Sequence, residues 1–183
     1  MGLMKQDTAG LKKEEIAGEV ERALLAHYER YYRLAYGYVR NREDALDVVQ
    51  ESACRAIRDC GKLTDQGAAA AWIYRIVINT ALDMLRKRKR ELLTEELPEE
   101  EWNDRYRDMD LEEMLGRLDE KSRSVILLRY FEDRKLEEVA RILDENVSTV
   151  KARLYRTLKK LRISLEEEES SSEAGKGEGY ERR

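Results

Sequence analysis

The sequence predicts an all-α protein built from two small helical domains. Apolar residues recur at steps of three and four along most of the chain, which places them on one face of an α-helix. The chain contains a single proline and few of the alternating β-branched runs that indicate strands. Of its 183 residues, 42% are apolar and 40% are charged. The composition therefore supplies helical cores beneath a very polar surface.

The first half of the chain is predicted to form a domain over residues 14–92, after a mobile N-terminal segment, residues 1–13. A first helical pattern runs over residues 14–39 and stops at a turn, residues 41–44, that offers an N-cap. Further helices are predicted over residues 45–59 and 68–90, separated by a loop that contains Gly61 and Gly67.

Tyrosines are concentrated in the first helical pattern, where they alternate with arginines. This arrangement could serve base stacking on a nucleic acid. Packing at the border of a small helical core is the favoured interpretation, because tyrosine combines an apolar ring with a polar end. The residues concerned are Tyr28, Tyr31, Tyr32, Tyr36 and Tyr38.

The second half of the chain begins after an acidic stretch, residues 93–110, which contains Pro98 and is predicted to be a flexible linker. A second helical domain is expected over residues 111–165, with Asp119 as the N-cap of one of its helices. Residues 166–183 are predicted to be a disordered tail because their composition is of low complexity.

A helix-turn-helix pattern closes the second domain. Two amphipathic segments over residues 136–165 are separated by Asp144, Glu145 and Asn146, and Asn146 is a good N-cap for the second segment. That segment contains no acidic residue between Val147 and Ile163, but it contains six lysines and arginines. A helix with one apolar seam and an otherwise basic surface is typical of helices that enter the major groove of DNA.

The distribution of charge also indicates a polyanionic partner. The formal net charge of −4 would by itself disfavour nucleic-acid binding, but the charges are segregated along the chain. An unbroken basic run, Arg86 to Arg90, ends the helix predicted over residues 68–90. Cations at a helix C-terminus are stabilising, yet five in succession exceed what the helix end requires.

Other classes of function find little support in the sequence. The two cysteines, Cys54 and Cys60, and the single histidine, His27, form no metal-binding or disulfide pattern, and no nucleophile–base pair or glycine-rich phosphate loop is evident. We therefore expect no metal, no cofactor and no catalytic residues. The absence of a long apolar run or a signal-peptide pattern predicts a cytoplasmic protein without membrane insertion.

Three stretches resemble the two domains of bacterial extracytoplasmic-function sigma factors, a group within the sigma-70 family. They are REDALDVVQESACRA, AWIYRIVINTALDMLRKRKR and LEEVARILDENVSTVKARLYRTLKKLR, in this order. The sequence departs from the family pattern where Asp144 and Glu145 replace a glycine and an aliphatic residue in the helix-turn-helix. Asp119 similarly stands where the family often has proline.

The resemblance implies three binding surfaces. The first would bind the clamp helices of the polymerase β′ subunit, with the β flap as a further contact for the protein. The second would recognise and melt the minus-ten promoter element, and the third would read the minus-thirty-five element. The corresponding residues are Asp44, Asp47, Val48, Gln50 and Glu51 for polymerase; Lys62, Trp72, Tyr74, Arg75, Asn79, Arg86, Lys87, Arg88 and Arg90 for the minus-ten element; and Ser148, Thr149, Lys151, Ala152, Arg153, Arg156 and Lys159 for the minus-thirty-five element.

The resemblance thus predicts a promoter-specificity subunit of RNA polymerase that acts in a stress response and is restrained by an anti-sigma factor, either free or membrane-bound. One alternative is a stand-alone helix-turn-helix regulator with an N-terminal sensor or dimerisation domain. It is disfavoured because no long heptad seam supplies dimer symmetry. A second alternative is a sigma-like adaptor that does not bind promoters, which the basic residues on both predicted DNA surfaces disfavour.

Overall fold

The computed structural model describes residues 3–63, 66–94 and 114–176. Within these ranges the chain forms α-helices and no β-strand, which confirms the predicted all-α class. Two short 3₁₀ turns, Cys60–Lys62 and Gln66–Ala68, occupy the loop between the third and fourth helices. The helices are α1 (Leu3–Ala26), α2 (Tyr28–Val39), α3 (Arg42–Asp59), α4 (Ala69–Thr94), α5 (Glu120–Ile126), α6 (Leu136–Leu143) and α7 (Val147–Lys176).

Three helices begin at the N-caps that the sequence predicts. The side chain of Asn41 accepts hydrogen bonds from the backbone N–H groups of Glu43 and Asp44, at 2.8 and 3.1 Å. Asp119 accepts from the N–H of Ser122 at 3.0 Å, and Asn146 accepts from the N–H of Ser148 at 3.1 Å. Each cap satisfies backbone donors that the first helical turn leaves free and contributes about 1 kcal/mol.

The helix boundaries differ from the prediction in three places. The first predicted helix is divided at His27, although His27 and Tyr31 keep backbone hydrogen bonds across the break. Helix α1 begins at Leu3 rather than within the predicted domain, and α7 continues to Lys176 rather than ending at residue 165. Both extensions are rich in Lys, Glu or Ala, which propagate a helix beyond its packed portion. Residues 95–110 of the predicted linker lie outside the described residues.

The N-terminal domain consists of α1–α4 around an apolar core. Tyr31 and Tyr38 are buried in it, which confirms core packing for these two tyrosines. The rings of Tyr31 and Tyr74 meet edge to face with their centroids 4.9 Å apart, a favourable aromatic geometry. Burial raises the pKa of Tyr31 well above its ordinary value, so its hydroxyl stays protonated.

The C-terminal domain contains α5–α7, and α6 and α7 form the predicted helix-turn-helix. Helix α5 continues into a π-helical turn, Leu127–Phe131. Asp144 adopts the left-handed conformation, with φ at 55°, and ends α6 where the family pattern has glycine. The turn is therefore kept without glycine, because aspartate tolerates this conformation better than most residues.

The two domains pack against each other through α2 and α4 on one side and the π-helical turn and α6 on the other. Their buried residues form one continuous apolar cluster, which includes Ile73 and Val77 from α4 and Leu127 and Ile142 from the C-terminal domain. The sequence did not predict this contact, because each domain's pattern specifies only its own core.

Candidate nucleic-acid interface

Helix α7 presents a continuous polar and basic face to solvent. Val150, Leu154 and Thr157 lie on its buried side and fix its rotation on the domain. Six of the seven residues predicted to contact the minus-thirty-five element are exposed on the opposite side: Ser148, Thr149, Lys151, Ala152, Arg156 and Lys159. Their side chains can reach a DNA groove without any rearrangement of the helix.

Arg153, the seventh residue of that set, is half-buried and pairs with Glu145. Its Nη1 donates to Glu145 Oε2, and Lys121 Nζ donates to the other oxygen of the same carboxylate at 3.1 Å. The hydrogen bond from Arg153 holds the pKa of Glu145 below its ordinary range. Glu145, the acid that departs from the family pattern, is thus paired with one cation on α7 and one on α5, which hold the turn against both helices. The sequence signal for this pair was an acid in the turn followed by an arginine on the next helix.

The basic run at the end of α4 is largely engaged with acidic side chains. Arg86 makes a bidentate contact with Glu120, at 3.2 and 2.6 Å, and Arg88 Nη1 donates to Asp44 at 2.9 Å. Lys87 lies 3.7 Å from Glu91. Arg90 and Lys62 are exposed, with Lys62 3.1 Å from Asp59. Exposed pairs of this kind are weak, so phosphates could displace the acids.

The remaining residues of the predicted minus-ten set are placed differently from one another. Asn79 is exposed and Trp72 is half-buried on α4. Tyr74 and Arg75 instead face the C-terminal domain. Tyr74 is 1% exposed, and Arg75 donates to the backbone carbonyls of Arg141 and Ile142, both at 2.8 Å. These two side chains cannot reach DNA while the domains are in contact.

The residues predicted to bind polymerase lie on α3. Asp47, Gln50 and Glu51 are exposed along this helix. Asp44 is half-buried beside Arg88, and Val48 is fully buried, so Val48 supports the helix from inside.

Two exposed apolar residues, Leu46 and Ile57, lie on α3 together with the exposed polar residues. Sequence reasoning missed them, although both lie outside the stripe of residues that forms the core. An exposed apolar residue beside charged ones is a common feature of protein interfaces.

The described residues also bear on metal binding, membrane insertion and thiol chemistry. Among the described residues, no group of three or more His, Cys, Asp or Glu side chains could hold a metal ion. No described helix is long and apolar enough to cross a membrane. Cys54 and Cys60 are free thiols.

Comparison with known families identifies both domains. Residues 24–91 match the model of Sigma-70 region 2, and residues 108–161 match that of Sigma-70, region 4. The RNA polymerase sigma factor SigV of Bacillus subtilis is 41% identical over 164 residues, covering 87% of this chain and 99% of SigV.

Further similarity extends to other sigma factors and to a solved structure. The ECF RNA polymerase sigma factor SigE of Mycolicibacterium smegmatis is 32% identical over 80% of this chain and 61% of its own length. The sigma factor RpoE of Bartonella quintana, solved with the anti-sigma factor NepR, superposes with a TM-score of 0.61 at 22% identity, covering 80% of this chain and 96% of RpoE. At that identity the structural match supports the fold.

Proposed function

The chain belongs to the extracytoplasmic-function sigma factors of the sigma-70 family, and from that premise we propose how its surfaces divide the work of initiation. The exposed face of α3 binds the β′ clamp helices of core RNA polymerase, and the β flap contacts the C-terminal domain. Helix α4 recognises and opens the minus-ten element, and α7 reads the minus-thirty-five element. The chain supplies specificity, while polymerase performs the chemistry.

The observation that carries this proposal is the exposed face of α7. Its cations are held by an N-capped helix whose apolar seam is docked on the domain, so they occupy fixed positions relative to one another. A bidentate contact between an arginine and guanine on such a helix would contribute about 1–3 kcal/mol of discrimination. Phosphate contacts by the other cations would add affinity that depends on salt.

Strand opening requires two further properties from α4. An extruded base needs an aromatic or apolar contact, and the single strand needs a cationic path. Trp72 offers the first surface, with the polar Asn79 on the same helix, and the basic run that ends α4 offers the second. Arg86 and Arg88 would exchange their carboxylate partners for phosphates, which conserves their charge-assisted hydrogen bonds.

The proposed function also includes a cellular location and an inhibitor. The chain would act in the cytoplasm, where polymerase and promoters are found. An anti-sigma factor, either free or membrane-bound, would restrain it by covering the polymerase and DNA surfaces until a stress signal releases it. Family membership supports this restraint.

The experiment that tests the proposal measures promoter binding with and without core polymerase, at two salt concentrations, using a pool of duplex sequences. Selective binding and strand opening only with polymerase are expected, and the selected duplexes would give the promoter sequence. Tight, specific duplex binding by the chain alone, unchanged by polymerase, would contradict the proposal and indicate a stand-alone regulator.

A further inference from the structure

Cationic side chains surround the corner where α1 ends and α2 begins. The corner forms a surface cavity of about 600 Å³, lined entirely by the chain between Leu25 and Arg33. Arg30 and Arg33 line this cavity from the first turns of α2, and both are exposed. His27, which separates the two helices, lines it as well. The residues assigned to polymerase and to promoter DNA include none of these three, so the proposed function leaves the cluster unexplained.

A third arginine lies near this corner, in the loop that precedes α6. Burial lowers the pKa of His27, and the positive charges of Arg134 and Arg30 lower it further. A guanidinium acts on an imidazole in this way only at short range, so both arginines lie close to the ring. The imidazole is therefore neutral at pH 7 and adds hydrogen-bonding atoms to the cluster without adding positive charge.

Two polar groups beside the corner have no hydrogen-bond partner within the described residues. They are the Nε–H group of Arg134 and the hydroxyl of Tyr31, which are both buried. The Tyr31 ring meets the His27 ring edge to face, with the centroids 6.2 Å apart. Buried polar groups are almost always hydrogen-bonded, so unused groups next to a cavity favour a polar ligand there.

Acidic side chains at the corner leave the arginines free to bind an anion. Glu29 lines the cavity, and the buried Glu132 lies 3.5 Å from Arg33 Nε. Burial raises the pKa of Glu132, so its negative charge is disfavoured. The Arg33 side chain is 55% exposed, and Arg30 makes no hydrogen bond or ion pair within the described part of the chain. Most of their guanidinium donors therefore remain available.

Two arginines in this arrangement fit a phosphate group. Arg30 and Arg33 are three residues apart, so they lie on the same face of α2. Each planar guanidinium can donate two parallel hydrogen bonds to the oxygens of one phosphate. The N-terminus of α2 lies at the same place, and the side chain of His27 does not cap it. Its backbone N–H groups and the helix dipole add a further preference for an anion.

An exposed aromatic ring lies next to these cations. Tyr28 lines the cavity and is 48% exposed. A ring in this position offers a face on which a nucleobase can stack, and such stacking accepts any base. Leu25, which is 75% exposed, adds apolar surface. The cavity volume lies within the range of small-molecule sites, about 300–1,000 Å³, and exceeds the needs of an inorganic anion.

We propose that the corner between α1 and α2 binds a nucleotide, whose phosphate contacts Arg30 and Arg33 and whose base stacks on Tyr28. A free nucleotide and a nucleotide within single-stranded DNA present the same phosphate and base, so the site accepts this chemistry from either source. The site lies on α2, apart from the basic run of α4 and from the basic face of α7. It rests on the geometry of this corner and not on the proposed function.

His27 provides the readout for this site, because it is the only histidine of the chain. The proton signals of its imidazole are recorded by NMR in the full-length chain, during separate titrations with inorganic phosphate, adenosine 5′-monophosphate and a single-stranded DNA hexamer. Each probe that binds should shift these signals to saturation. Bound phosphate should also raise the pKa of His27, because its negative charge offsets the charges of Arg30 and Arg134.

Arg30→Gln combined with Arg33→Gln should weaken nucleotide binding at least about tenfold, because it removes charge-assisted hydrogen bonds. Affinity is taken from the saturation of the shift, since loss of Arg30 by itself raises the pKa of His27. Tyr28→Ala should weaken binding of the nucleotide without changing binding of inorganic phosphate. Arg58→Gln, at the exposed end of α3, is the matched control and should bind like the wild type. Circular dichroism checks folding, and Arg30→Gln alone carries the test if the double variant unfolds.

Saturable binding of adenosine 5′-monophosphate that the double variant loses would support the site. Saturation by the hexamer alone would support it as well and would assign the nucleotide to a DNA strand. Shifts that never saturate with any probe, or equal affinity of the wild type and the double variant, would overturn it. Equal binding of the nucleotide by Tyr28→Ala and the wild type would overturn the stacking contact. Polymerase-dependent initiation tests the proposed function separately, and its failure would leave this site in place.

Discussion

Two arginines on α7 that are close in sequence occupy different environments. Arg156 is exposed and contacts only a carbonyl of its own helix, Ala152 O, at 3.4 Å among the contacts described for it. Arg153 is half-buried against Glu145. A sequence pattern assigns both to DNA, because helical spacing alone does not reveal a partner in the preceding turn. Of these two arginines, only Arg156 presents its whole guanidinium to solvent.

Replacement of these arginines should separate recognition from stability. Arg156→Ala should weaken binding of the polymerase complex to minus-thirty-five DNA by roughly 10-fold, since it removes a groove contact. Its free energy of unfolding should stay within about 0.5 kcal/mol of the wild type. Arg153→Ala should lower that free energy by about 2 kcal/mol, because it leaves the half-buried Glu145 without its main partner. Anisotropy and urea unfolding measure the two quantities.

Arg58→Ala supplies the matched control for this pair. Arg58 is an exposed cation at the end of α3, far along the chain from the DNA-facing helix, and its replacement should change neither quantity. Equal loss of DNA affinity without loss of stability in Arg153→Ala would show that Arg153 leaves Glu145 to contact DNA.

At the scale of single helices, acidic side chains fix the ends and turns of the C-terminal domain. The hydrogen bond from Ser122 lowers the pKa of Asp119, and a backbone hydrogen bond from Lys135 lowers that of Glu138. The hydrogen bond from Arg153 lowers the pKa of Glu145. All three groups are more acidic in the folded chain, so the stability they contribute is complete above the ordinary carboxyl pKa, about 4, and is lost as pH falls through their folded values.

We therefore expect the free energy of unfolding to decrease between pH 5 and pH 3, measured by urea titration. Burial raises the pKa of Glu132, which opposes this trend because its protonation favours the folded chain. A Glu145→Gln variant should show a shallower decrease than the wild type, since it lacks one of the three titrating groups. An identical slope in both proteins would contradict the role given to the pair of Glu145 and Arg153.

Substitutions on the exposed face of α3 should affect polymerase binding without affecting the stability of the chain. Asp47→Ala combined with Gln50→Ala should weaken binding to core polymerase by at least about tenfold, because truncated interface residues at a contact centre cost more than about 1 kcal/mol each. Polymerase-dependent initiation should fall in parallel, while the stability of the chain should not change. Glu43→Ala, at the exposed start of the same helix, is the control. Pull-down with core polymerase measures the effect, and unchanged binding would remove this face from the interface.

Local features of the helices were predictable from sequence to the extent that their causes are local. Asn41, Asp119 and Asn146 act as caps where they were expected, because capping depends on a few neighbouring residues. The left-handed turn at Asp144 follows for the same reason. The break at His27 was not predicted, since neither glycine nor proline marks it. The predicted start of α1 and the predicted end of α7 both lie inside the observed helices.

At the scale of the whole molecule, sequence reasoning identified the two domains but not their contact. The contact joins residues such as Gly37 and Leu127, or Tyr74 and Glu132, that are distant in the chain and have ordinary roles within their own helices. A glycine on a helix predicts a weak point in that helix rather than space for a leucine from another domain. The surfaces assigned to polymerase and DNA therefore came from local patterns and from the family resemblance, whereas the contact of Tyr74 and Arg75 with the C-terminal domain came from tertiary structure.

A double-mutant cycle across the two domains tests this contact in the full-length chain. Tyr38→Phe and Ser124→Ala each remove one partner of the buried hydrogen bond between α2 and α5. If the domains are docked in solution, the two changes together should destabilise the chain by less than their sum, with a coupling energy of about 1 kcal/mol in urea unfolding. Tyr36→Phe with Ser124→Ala is the control, because Tyr36 is exposed on the same helix and should show no coupling. Strict additivity in both cycles would mean that the domains are apart in the free chain, since a hydrogen bond between separated domains contributes nothing to either.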